Sequence, residues 1–439
     1  MTALRQIPGA GAGLGRNTMR TAIVLRFAII LTAATTSYGE WCQWRGGPAR
    51  DGVVSDPAPV FAEPSAITVE QVWKVPMPGE GVGNFSSAVV SGGKAYAYVS
   101  KLKEPGKKKS KDRVESFYCV KLSDGAIAWQ KDYPGTGGGR GPCNTPCVEA
   151  GKVIGTVSGG TVYCLNADTG QELWKAPLGP SKTKLAEFKK AKIKLGGYNA
   201  SATVADGKVI AAPYDLVALD AQTGNVAWRQ EKIRCASGSP VVWRSGGKAY
   251  VIAGGGQAHL VDLADGSVKW SVRGSGNTTP AVSGDRMVIL NAGNKKTKTK
   301  SQLVIYKLTP EKPEEVFKKE MKFVLSSPSI HGNRVYLCTG SGRLCLDAET
   351  GKRIWQGKGT VGDHYASFMI VGKTLISWTA PHRKPMGEGE SKFGFYRVDD
   401  GKEIAVCDVT RLGECVFPAV AGNRLIFRGL ESLWCYRVK

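Results

Sequence analysis

Histidine is scarce in this chain, with four residues in 439, and His259, His331 and His382 stand isolated with no metal-ligand spacing around them. Acidic residues are also few, 37 against 60 lysines and arginines, which gives a formal charge of +23 and makes polyanions the natural partners. Long apolar runs are missing too. The best stretch, residues 27–36, is about ten residues against the roughly 20 that span a bilayer, so the mature chain has no transmembrane span. Low-complexity tracts are absent as well: the 56 glycines fall at regular turn positions, which excludes a disordered polymer.

The short apolar run belongs to an export signal. Met19-Arg20 and Arg26 supply a basic start, and Ser37-Tyr38-Gly39 places small residues where a signal peptidase cuts. Residues 1–39 are therefore read as a signal peptide, with Met19 an alternative true start and a retained anchor the competing reading. Cys42 lacks the apolar and small residues of a lipidation site. All 11 cysteines follow Gly39, an odd number for an exported chain. Cys119, Cys164 and Cys345 occupy a repeat position filled elsewhere by Ala218, Leu260 and Phe395, so packing accounts for them. Cys143 and Cys147, four apart in a predicted strand, lie too far apart to bridge each other; Cys407 and Cys415 flank one loop and are the suggested pair.

What the sequence has in abundance is one hairpin. From Val162 to Trp174 an apolar run meets an Asp168-Thr169-Gly170 turn and returns through a short run ending in Trp. Gly125 before Trp129, Gly224 before Trp228, Gly266 before Trp270 and Gly351 before Trp355 repeat the same spacing of four residues. Each unit opens on a Ser/Thr-Pro-like pair, as in Thr145-Pro146, Ser239-Pro240 and Thr279-Pro280, and eight such starts run from Ser87 to Phe417. Dividing residues 71–439 by eight gives about 46 residues per unit, the size of a four-stranded blade. The prediction is all-β: an eight-bladed propeller of four-stranded antiparallel blades. Two units are degenerate, with Phe317 and Ala405 where Trp is expected. The eighth ends at Trp434-Cys435-Tyr436 without a fourth strand, so residues 72–75, which carry Trp73, are expected to supply it and close the ring. Trp73, Trp129, Trp174, Trp228, Trp270 and Trp355 are then structural docking residues. Residues 40–70 form an arm, expected to lie extended over the surface and to be pinned by its tryptophans.

The repeated Ala167-x-Thr169-Gly170-x-x-x-Trp174 pattern resembles the tryptophan-docking repeat of pyrroloquinoline quinone (PQQ) enzymes and their PQQ-like propeller relatives. The arm, with Trp44-Arg45-Gly46 and Arg50-Asp51-Gly52, resembles the start of exported PQQ-like propeller proteins of planctomycete-type bacteria. The resemblance implies either a quinoprotein dehydrogenase or a catalytically inert scaffold such as the one in outer-membrane protein assembly. The dehydrogenases carry an adjacent Cys-Cys disulfide, absent here, and need a carboxylate and an Asn on Ca²⁺ with an Asp base. No residue of this chain receives those roles. The turn aspartates Asp124, Asp168 and Asp265 are read as caps of backbone donors. No catalytic residue, metal site or cofactor is expected; PQQ with Ca²⁺ belongs to the alternative reading, oxidation of an alcohol or sugar.

Four inserts hold most of the positive charge. Residues 101–113 carry seven basic and two acidic side chains, residues 182–194 six and one, residues 295–300 four and none, and residues 383–392 three and two. In an up-and-down blade, the loops between second and third strands and the loops between blades leave on one face, so all four inserts crown that face. A short helix over residues 185–195 is predicted within the second. These lysine-rich loops are either simply solvated or a polyanion-binding surface, for which the candidate ligand-binding residues are Lys107, Lys108, Lys109, Lys189, Lys190, Lys295, Lys296 and Lys298. Nearer the axis, Asn84, Asn144, Asn199, Asn277 and His364 precede first strands and form either a polar funnel or simple strand-start hydrogen bonds. The expected function is a non-catalytic exported binding or scaffold module. It acts in the periplasm or cell envelope, is monomeric, and binds a protein partner or an acidic polysaccharide or other envelope component; nucleic acid is a poor fit because only Phe188 offers an aromatic ring in these inserts.

Overall fold

The computed structural model describes residues 40–439, apart from 55, 79–85, 104–111, 137–143, 181–185, 187–199, 236, 275, 292–299, 322–325, 340–341, 359–366, 379–390, 410–416 and 430. Eight antiparallel blades form a β-propeller ring. Blade 1 is built from Val89–Ser91, Lys94–Leu102, Asp112–Lys121 and Ile127–Thr136, and the remaining blades follow in chain order. In blade 8 the strands Ala419–Ala421, Arg424–Arg428 and Ser432–Val438 are completed by Val69–Pro76, which pairs antiparallel with the last strand from Val69↔Val438 to Pro76↔Ser432. The closing strand is thus longer at both ends than residues 72–75. The N-terminal strand completes the sheet of the last blade, so that blade keeps no unpaired outer edge from the C-terminal strand.

The Trp repeat works as a docking device between blades. Trp129 of blade 1 lies over Gly170 in the turn of blade 2 and donates from Nε1 to the Ala167 carbonyl oxygen at 3.0 Å. Trp174 reaches Ala221 O, Trp228 reaches Leu263 O, Trp270 reaches Thr309 O and Trp355 reaches Val398 O in the same way, each on the next blade. Trp73 completes the series by bonding Leu122 O at 3.1 Å across the closure. Phe317 keeps the stacking without the hydrogen bond, its ring against Gly351. The six tryptophans are at most about 9 % exposed, so each of their joints buries a large apolar surface while satisfying the indole N–H.

Two sequence expectations need correction. The first part of the arm is not laid over the surface: Trp41, Arg45 and Arg50 are essentially inaccessible to solvent, with Trp41 pinning it as expected, whereas most described residues from 53 to 70 are exposed or half-buried. Cys407 carries a free thiol whose Sγ sits 3.8 Å from the Ile67 carbonyl oxygen, so it is not paired with Cys415, which lies outside the described residues together with Cys143. All nine described cysteines are free, and seven are buried.

Candidate binding face and the axial arm

Strand ends fix the geometry of the two faces. The turns at Gly93 and Gly125 lie at one end of blade 1, and the strands that bear the first basic insert, ending at Leu102 and starting at Asp112, open at the other. The same end receives Asn291 and Ser301 of blade 5, Trp378 and Ser391 of blade 7, and the passage from Pro177 to Thr203 between blades 2 and 3. All four basic inserts therefore depart from one face. Blade 1 also stands proud: its second to fourth strands have 9, 10 and 10 residues, against 4, 5 and 5 in blade 3. At ~3.3 Å per residue the extra length lifts the first insert by roughly 15 Å. Lys107, Lys108, Lys109, Lys189, Lys190, Lys295, Lys296 and Lys298 lie outside the described residues, as do Asn84, Asn199, His364 and nearly all of the predicted 185–195 helix.

The unit-opening Ser/Thr residues have a role that the sequence did not disclose. The Ser87 amide donates to Thr145 Oγ1, Thr145 N to Ser201 Oγ, Ser201 N to Ser239 Oγ, Ser239 N to Thr279 Oγ1 and Thr279 N to Ser327 Oγ, all at 2.9–3.0 Å. Phe417 N donates to Ser87 Oγ across the closure at 2.8 Å. This belt of buried hydroxyls joins blade 8 to blade 1 and each blade to the next as far as blade 6. The residue just before it hooks the second strand: Thr278 Oγ1 donates to Leu290 O, Ser326 Oγ to Cys338 O and Asn144 Nδ2 to Thr156 O, each twelve positions on. Asn144 therefore makes a strand-start bond with its amide, while its buried Oδ1 has no partner. Asn277 is exposed.

On the turn face, near the axis, the arm touches one inner strand after another. Trp41 exchanges backbone bonds with Val90, Cys42 O accepts from Val148 N, Gln43 bonds the Val204 amide and carbonyl, Pro48 O accepts from Val242 N and Gly52 O from Ile370 N. Val53–Val54 then adds a fifth, parallel strand to blade 7. Two guanidiniums drive inward. Arg50 donates from Nε to Pro240 O at 2.8 Å and from Nη2 to Ala202 O and Thr203 Oγ1; Arg45 donates from Nη2 to Pro328 O and Ser329 Oγ. Trp41 stacks on Phe417 at 6.0 Å, and the Arg45 guanidinium lies 5.4 Å from the same ring. Burial pulls Arg45 down to about 9, against the opposing field of Asp51, and pulls Arg50 down to about 10. Both remain cationic at neutral pH.

The turn aspartates divide. Asp124 caps Ala126 N and Asp265 caps Ser267 N, as expected. Asp168 caps no backbone donor: Asn166 does that work in its turn, and Asp168 pairs with Lys94 of the neighbouring blade. Among the described residues, no group of three or more His, Cys, Asp or Glu side chains has the geometry of a metal site. No helix there is long and apolar enough to cross a membrane.

The family profile described as outer membrane protein assembly factor BamB matches residues 65–214 and 213–301, more than half of the chain. The chain belongs to the BamB-type PQQ-repeat propeller family. The outer membrane protein assembly factor BamB of Yersinia pestis is 23 % identical over 324 residues, covering 64 % of this chain and 81 % of that protein. Among solved structures, BamB from Moraxella catarrhalis superposes with a TM-score of 0.55 at 14 % identity, over 84 % of this chain and all of the other. A europium-containing methanol dehydrogenase gives 0.60 at 13 % identity, over 89 % and 88 %. At such identities both structural likenesses speak to the fold alone.

Proposed function

We propose that this chain is a non-catalytic propeller of the cell envelope that binds an acidic partner through the face bearing its basic inserts. The observation that carries the reading is topological: all four inserts leave from the end of the blades opposite the turns, and the longest ladder raises one of them above the rest. Charge gathered on one face raises the local concentration of a polyanion, be it an acidic protein surface or an envelope polysaccharide. The kinship with BamB, an outer membrane protein assembly factor, supports a protein partner and an envelope location. Export through residues 1–39 is part of the same reading, and N-terminal sequencing of the native protein is expected to begin at Glu40. The purified mature chain is expected to be monomeric and to stay on a heparin matrix at low salt, eluting steeply as salt rises. Passage of the chain without retention would count against the proposal.

Quinone-dependent oxidation of an alcohol or sugar is the second reading, favoured only by the fold. A planar tricarboxylate with Ca²⁺ needs open space and acidic ligands near the axis. At the depth of the inner strands that space is taken by Trp41, Arg45, Arg50 and Phe417, which do not fit the group. Addition of PQQ and Ca²⁺ is expected to leave dye-linked alcohol oxidation at background and the tryptophan fluorescence unchanged.

A further inference from the structure

A cavity of about 490 Å³ opens on the turn face between the arm and blades 6 and 7. That is within the range of sites for small ligands. Its lining is Asp51, Val53, Val54, Pro57, His331, Ile370 and Gly372. The lining mixes aliphatic side chains with two polar ones, the Asp51 carboxylate and the His331 imidazole. Asp51 uses Oδ1 to accept the Val53 amide at 3.1 Å. Among the described residues, no lysine, arginine or histidine lies within ion-pair distance of it, although Arg45, buried behind the arm, exerts a longer-range attraction. Burial pushes the Asp51 carboxyl upward, with Arg45 and His331 pulling it back. A partly desolvated carboxylate beside Val53, Val54 and Ile370, with Arg45 and His331 acting on it through the field and no ion pair of its own among the described residues, can take a directly bound cation.

We propose that this cavity is a binding site for an alkylammonium group, whose charge meets Asp51 and whose methylenes lie on Val53, Val54, Pro57 and Ile370. The site lies on the opposite face from the basic inserts, so it stands or falls independently of the function proposed above. The same chemistry is presented by a lysine side chain of an extended peptide and by a free aliphatic amine.

The test is titration of the full mature chain with butylamine and with Nα-acetyl-lysine methylamide, followed by calorimetry or ligand-observed NMR. Saturable binding of either supports the site, and the tighter of the two identifies the source. Asp51→Asn keeps the acceptor for the Val53 amide and removes only the charge, so the variant should fold normally and bind at least about ten-fold more weakly, as loss of a charged hydrogen bond implies. Butanol, the neutral isostere, should bind no better to the native chain than to the variant. Absence of saturation with both amines, equal affinity of native chain and variant, or preferential saturation by Zn²⁺ or Ca²⁺ at Asp51 overturns the proposal.

Discussion

Gly170 is constrained twice. Its φ of +69° lies in the left-handed region, and a Cβ there would stand 2.7 Å from Trp129 Cδ2. Gly92, at φ +56°, has open space around the same position. Gly92→Ala should therefore cost only the backbone term, about 1–2 kcal/mol. Gly170→Ala should cost at least about twice that in urea unfolding, because it also undocks an indole. Equal losses would show that docking contributes nothing at this joint. The cysteines give a second residue-scale expectation. Burial raises Cys164, Cys235 and Cys345 to about 12, and Cys119 and Cys435 to about 11. The folded chain thus holds protons that the unfolded chain releases near pH 9, so the contribution is whole below pH 9 and is lost between about pH 9 and 12. Stability is expected to fall across that window, and less steeply in a Cys164→Ala, Cys235→Ala, Cys345→Ala variant. In native buffer at pH 8, a thiol reagent should leave the seven buried cysteines unmodified.

At the scale of elements, the blades were legible and the arm was not. The four-residue Gly-to-Trp spacing, the Phe317 substitution and the missing fourth strand of the eighth unit were enough to place every blade and the closing strand. Each of these rests on a side chain whose identity is dictated by packing. The arm binds differently: Arg50 and Arg45 donate largely to the carbonyls of Ala202, Pro240 and Pro328, and backbone acceptors leave no signature in a sequence. The hydroxyl belt was half visible, since the Ser/Thr-Pro pairs marked unit starts while their inter-blade bonds did not show. Ser201→Ala strips the acceptor from the buried Thr145 amide and should cost about 1–3 kcal/mol by chemical denaturation. Arg50→Met preserves volume but removes the guanidinium donor from the Ala202 carbonyl and one of the two donors from the Pro240 carbonyl, which keeps Thr203 Oγ1. It should destabilise the chain by more than Ser201→Ala, and it should expose the arm to limited proteolysis near residue 50. An arm that stays protected would show that its aromatic contacts alone hold it in place.

At the scale of the whole molecule, fold likeness does not separate a scaffold from a dehydrogenase. The methanol dehydrogenase superposes at 0.60 and the Moraxella catarrhalis BamB at 0.55, both at identities too low to carry function. In this chain the arm packs on the inner strands from the turn side, and the basic inserts leave from the other. The choice of candidate lysines rests on strand order, which converts a linear charge pattern into a facial one. The polar ring around the axis was harder to read, since Asn144 turned out to make a strand-start bond that its neighbours Thr278 and Ser326 make with hydroxyls. The central claim is therefore about the insert face, and the most direct measurement is heparin retention of a chain in which lysines 107, 108, 109, 189, 190, 295, 296 and 298 are changed to glutamine. The variant is expected to melt with the native chain and to elute at much lower salt; co-elution of the two would contradict the account.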